Sequence, residues 1–242
     1  LRNRFELFVE TSGVEVAAGL QGAPLVRFAG ATAQQARVPV DWWISDEENV
    51  LSAEVSPVED APHASLAIAL VDPSDRFDPL AIARWRWPVG ALTEPFALRL
   101  PFSVSLASPA FADLDAVSSL EPSDLAAIHA LVGGLVDAIS RRDAAALVGL
   151  LAHRLRDFCA VFDDDLEEHR AVVHDDFAEM LRVMSLDPVL IDDVRVTPCA
   201  GDRVFHVAKA DGTELLVLRN AEGESVMQVY VGRADGRWRV VR

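Results

Sequence analysis

Lysine, tyrosine and cysteine are nearly missing from this chain of 242 residues. Lys209 is the only lysine among 22 basic side chains, against 38 Asp and Glu, giving a formal net charge of −16. Such a balance repels phosphate backbones and anionic membrane surfaces, so neither a nucleic acid nor a membrane is expected as partner. A basic protein is the partner that this charge favours. Cys159 and Cys199 are the only cysteines; they are too few for a disulfide framework and too far apart for a metal or redox motif, and they read as two buried thiols in a reduced compartment. No run approaches the ~18 apolar residues of a membrane-spanning helix, and no basic stretch precedes an apolar core at the N-terminus. The expected location is therefore cytoplasmic. Export stays open, because the chain starts at Leu1 and a preceding segment is expected. No nucleophile motif, phosphate loop or metal-ligand spacing stands out, so no cofactor and no metal are expected.

What is present is a change of pattern along the chain. Residues 5 to 107 read as some seven short strands broken by Pro and Gly, among them 5–9, 14–16, 25–28, 38–44, 50–55, 64–71 and 96–106, with 79–85 as the longest helical run. That predicts an all-β, sandwich-like N-terminal domain over 1–107. Pro101 marks the last of these strands as an edge or a bulge. Ser, Pro, Ala and Asp then accumulate without period over 108–122, which reads as a linker.

From Ser123, read as an N-cap, Leu125, Ile128, Leu131, Val132, Leu135, Val136 and Ile139 recur at helical spacing. Gly133 and Gly134 inside that helix suggest the close approach of another backbone. A second helix follows Arg141-Arg142-Asp143, and a third pattern runs from Asp163 to Met184 with His169 on its apolar stripe. Five segments, 194–196, 204–208, 215–218, 226–231 and 238–241, then alternate with turn dipeptides such as Asp211-Gly212 and Asp235-Gly236, predicting an antiparallel meander.

The phrase Val136-Asp137-Ala138-Ile139-Ser140-Arg141-Arg142-Asp143-Ala144-Ala145-Ala146-Leu147, a further helix, and a hairpin-rich region closing on Gly236-Arg237-Trp238-Arg239-Val240 together resemble the NTF2-like superfamily, the cone fold of steroid isomerases. The resemblance covers about half the chain, from about 121 to 242, and the domain expected from it is 123–242. It implies an α+β NTF2-like C-terminal domain, with helices packed on a curved antiparallel sheet, an apolar pocket and often a homodimer. Members include isomerases, dehydratases, cyclases and inert binding modules, so the fold alone passes on no activity. Catalytic members set an Asp or His base against a Tyr or a second acid inside the cone. The matching pocket candidates here are His169, His206, Gln228 and Tyr230, all dependent on which sheet face is concave. The Asp-Tyr arrangement of a steroid isomerase is not matched.

Two surface features suggest partners. Asp163, Asp164, Asp165, Glu167 and Glu168 crowd a helix start, where carboxylates favour the terminus and form a face for a basic partner. Trp42, Trp43, Trp85 and Trp87 are the material for a sandwich core, or for an aromatic ledge that binds carbohydrate or a protein, Trp85 and Trp87 being the partner-binding pair. The leading expectation is a non-catalytic binding or interaction protein, such as an acidic immunity or adaptor protein or a carrier of a small apolar ligand. The alternatives are a small-molecule isomerase, dehydratase or cyclase and a carbohydrate-binding sandwich.

Overall fold

Alternation of apolar and polar side chains writes the strands of the first half. In β1 (Glu6–Ser12) Leu7, Val9 and Thr11 are buried while Glu10 is exposed, and in β2 (Val14–Leu20) Val14, Val16 and Ala18 are buried while Glu15 is exposed. β3 (Ala23–Phe28), β4 (Gln34–Pro39), β5 (Asn49–Pro57), β6 (Ser65–Asp72), β7 (Leu80–Arg86) and β8 (Phe96–Phe102) complete the set. This is a computed structural model that describes residues 5–30, 32–45, 48–58, 65–72, 80–86, 94–104, 111 and 113–242, with 65–72, 80 and 81 described by backbone alone. The chain divides into two units, Leu1–Ala110 and Phe111–Arg242.

The first unit contains two four-stranded antiparallel sheets, ordered β4-β1-β6-β7 and β3-β2-β5-β8. β8 is an edge strand, which is where Pro101 can sit without breaking a ladder on both sides. Two expectations need correction. The run 79–85 contributes β7, since its small and branched residues pair with β6 and the ladder outweighs helical propensity. The run 38–44 is split into β4 and a 3-10 turn, Asp41–Trp43. Asn49, fully buried, ties that corner together: its Oδ1 accepts from Gln21 Nε2 (2.7 Å) and Ser45 N (2.9 Å), and its Nδ2 donates to Ser45 O (2.9 Å).

The second unit starts earlier than the predicted linker allows. Phe111, Leu114 and Val117 are buried, Asp115 N donates to Arg233 O (2.7 Å), and Arg203 Nη1 donates to Leu114 O (2.8 Å). Sparse apolar residues at irregular spacing hid this from a periodicity argument. α1 (Pro122–Ser140) is capped by Glu121, not Ser123: Pro122 occupies the first helical position, and Glu121 and Asp124 form a capping box. By length and composition α1 could cross a bilayer, contrary to the sequence expectation. Its stripe of Ile128, Val132, Leu135 and Ile139 is instead buried inside the protein, each side chain contributing about 1.5–3 kcal/mol. The two helical glycines meet side chains, Ile191 and Leu150, and not another backbone.

α2 (Ala144–Leu150), α3 (Ala152–Phe162) and α4 (Leu166–Val183) follow, with Asp143 and Asp165 as N-caps of α2 and α4. α1 packs against α2 and the last strand, and α4 against α2 and α3. The strands are β9 (Ser185–Leu186), β10 (Val194–Cys199), β11 (Val204–Lys209), β12 (Leu216–Arg219), β13 (Glu224–Met227), β14 (Val229–Ala234) and β15 (Arg237–Val240). They form no single meander. One sheet is ordered β10-β11-β14-β15 and another β13-β12-β9, because the segment read as one strand over 226–231 breaks at Gln228 and its halves pair with different partners.

Trp238, of the closing Gly-Arg-Trp-Arg-Val phrase, donates through Nε1 to Asp124 Oδ1 at 2.9 Å, fastening β15 to the start of α1. That indole bond, then the Glu121 N–H, hold the Asp124 carboxyl below the usual carboxylate range against an opposing desolvation, with Arg233 assisting. A depressed folded value means that the stabilisation is present above the unfolded value near pH 3.9 and lost as pH falls through the folded one. Asp124→Asn is expected to remove that part of the acid limb; urea midpoints that fall as steeply below about pH 4 in the variant would refute it.

Candidate functional site

β11 and β14 lie side by side with His206 opposite Tyr230. Phe205, Val207, Val229 and Val231 join the apolar core shared with α1, so His206 and Tyr230, one residue out of phase, project from the other face of the sheet. The sheet candidates depended on which face is concave, and the period of two puts His206 and Tyr230 on the face away from the helices. They do meet each other. The His206 and Tyr230 rings are 4.9 Å apart and tilted by 32°, both buried. His206 Nε2 lies 3.3 Å from Glu214 Oε2, and Gln228 Nε2 donates to Glu214 Oε1 at 3.0 Å. Glu214, which the sequence reading missed, thus joins His206 and Gln228, reached by the turn after β11. His169 stands apart on α4, stacked on Phe158 of α3 with centroids 4.6 Å apart and planes 14° from parallel.

The acidic run is first a helix joint. Asp163 closes α3 in the left-handed region (φ 60°), and Asp165 Oδ1 accepts from Glu168 N at 2.9 Å to start α4. Asp163, Asp164, Asp165, Glu167 and Glu168 are all exposed, with Glu167 paired to Arg170 at 3.1 Å. The tryptophans do not assemble into one ledge: Trp43 is buried core, half-buried Trp42 follows β4 at one sheet edge, and half-buried Trp85 on β7, at the other edge, packs on Phe96 at 5.3 Å. Trp87 lies outside the described residues.

A second polar cluster, absent from the sequence reading, gathers around α3. His153 and Asp157, one turn apart, share a helix face. His153 Nε2 is 3.4 Å from Asp113 Oδ2 and 3.6 Å from Asp157 Oδ2, and it is buried without a hydrogen-bond partner. Arg242 Nη1 donates to Asp157 Oδ2 at 2.7 Å and to Val241 O at 2.6 Å, while its guanidinium lies 4.8 Å from the Phe111 ring centroid. Burial pushes the Arg242 guanidinium below its ordinary value, with Asp157 opposing. Half-buried Arg154 is lowered too, by desolvation and by repulsion from Arg242, with Tyr230 opposing. Tyr230 N donates to Arg242 O at 3.4 Å, so the two clusters are contiguous. The His-x-x-x-Asp spacing at 153–157 was the available signal; Asp113, in the stretch read as linker, gave none.

The thiols play no part in this chemistry. Cys199 is buried and pushed up to about 12 by desolvation, and the Cys159 thiol is raised for the same reason, so both remain protonated near neutrality. No family model, no curated protein and no solved structure matches this chain.

Proposed function

We propose that the chain is a non-catalytic binding protein, a β-sandwich joined to an NTF2-like unit, that engages a basic protein partner through the outer face of α4. The observation that carries the reading is the filling between helices and sheet: the inward positions Phe205, Val207, Val229, Val231 and Val240 are all apolar and packed with Ile128, Val132 and Leu135. A cone that performs acid–base chemistry needs a titratable group at that floor. The polar candidates sit on the opposite face, and His169 in a third environment, which speaks against an isomerase or dehydratase. On the exposed side of α4, Glu168, Asp175 and Asp176 lie one turn from the exposed Val172, with Glu179 further along the same face, an apolar spot with a charged rim of the kind that interfaces use.

Reversing Glu167, Glu168, Asp175 and Asp176 to Lys tests this. The wild-type chain is expected to retain a basic protein from native extract at low salt and to release it as salt rises, with the association rate falling at least about tenfold in the variant. Equal capture and equal association rates by the two chains would remove α4 from the account.

A further inference from the structure

We propose that Asp113, His153 and Asp157 bind one divalent transition-metal ion of the zinc class. This site is separate from the α4 face and does not depend on the partner reading. Ligand atoms of the three residues lie within 4.8 Å of one another. The spacing is the informative quantity. A histidinium donating to a carboxylate closes to about 2.7–2.9 Å, whereas His153 Nε2 stands 3.4 and 3.6 Å from the two carboxylate oxygens. Tetrahedral bonds of about 2.0–2.1 Å to one shared ion place neighbouring ligand atoms about 3.3–3.4 Å apart. The two separations from His153 therefore suit ligands of a common centre better than hydrogen-bonded pairs, and the third, between the two carboxylates, is within 4.8 Å.

The surroundings are those of a supported site. His153 Nε2 is a buried nitrogen without a hydrogen bond, on a residue only 5% exposed, and leaving such a group unmatched is costly. A metal ion takes up its lone pair. Arg242 donates to Asp157 Oδ2, which orients that carboxylate and still leaves lone pairs for a metal, since a carboxylate offers about four acceptor positions. Phe111 lies against the same guanidinium and keeps that wall apolar. Asp113 is exposed, with 57% of its side chain accessible, so an ion can enter from its side and complete its coordination with water. One imidazole with two carboxylates is a donor set of intermediate softness, suited to zinc or manganese over the all-oxygen shells of calcium or magnesium.

Calorimetric titration of Zn2+ into the chelator-stripped chain of residues 1–242 tests the proposal. Saturation at one ion per chain is expected, with affinity reduced at least about 10-fold by Asp113→Ala and about 100-fold by His153→Gln. Asp113 is exposed, so its variant is expected to fold and keeps the test valid if the His153 variant does not; circular dichroism identifies a failed fold. Stripped protein that shows no saturable binding overturns the proposal. So does a bound ion that both variants retain at parental affinity, which would place it on other carboxylates.

Discussion

Asp157→Asn is expected to destabilise the protein by about 3 kcal/mol, while Arg154→Met is expected to be neutral or stabilising, although both residues flank the same guanidinium. The Arg242 side chain is 4% exposed and its charge is disfavoured by burial first of all; Asp157, at 19%, supplies the main opposing attraction. Removing the carboxylate takes away the nearest opposite charge of a buried cation, a change of about 3–5 kcal/mol when a pair is fully buried, here set at the lower end because Asp157 is partly solvated and Asp113 also attracts the guanidinium. Arg154 adds a second positive charge that repels Arg242, and methionine keeps most of its apolar stem while removing that repulsion. Urea unfolding in chelator, followed by helical circular dichroism, checks the pair, since the α-helices of the described residues all belong to the second unit. A double variant, Asp157→Asn with Arg242→Met, is expected to recover most of the loss. Equal destabilisation by Asp157→Asn and Arg154→Met would show that the buried charge is not what this corner responds to.

The contrast between these residues and the rest of the unit explains what could be read beforehand. α1 was legible because its stripe repeats at three and four, and the hairpin at Asp235-Gly236 because both residues take positive φ, 50° and 70°, as a two-residue hairpin turn requires. The face of β11 was not legible. Val204-Phe205-His206-Val207-Ala208 is apolar at both phases, and all five residues are buried, so alternation carries no information about which phase meets the helices. The break at Gln228 was hidden for the same reason, since Val226 to Val231 reads as one continuous strand. The polar cluster around α3 was lost because its third member enters from a segment with no period at all, and only the folded chain brings Asp113 to His153. Glu121 escaped because Ser, Thr, Asp and Asn are the preferred caps, and the stronger signal was Pro122 at the first helical position.

Gly19→Ala is expected to destabilise the first unit by about 3 kcal/mol. The β2–β3 hairpin turns through Gln21 and Gly22, both at positive φ (54° and 81°), and its register shifts between Ala18 and Gly19. This bulge folds the Ala23 carbonyl over Gly19, so that an added Cβ overlaps the Ala23 oxygen and falls 2.8 Å from the Ala23 carbon and 3.0 Å from the Pro24 Cα. All three obstacles are backbone, which cannot rotate aside as a flexible side chain would. Relief requires opening β2 from β3, and with it the edge of the sheet whose next strand is β5. Overpacking typically costs about 1–3 kcal/mol, and the upper end applies here because no neighbour can yield. Four of the five tryptophans belong to the first unit, so fluorescence reports its unfolding while helical dichroism reports the second. The expected result is a fluorescence transition displaced to lower urea with the dichroism transition unmoved. If both move together, the two units share one cooperative transition and their cores do not respond separately; if neither moves, the bulge accommodates a methyl and the close approach of Ala23 is not a constraint on the fold.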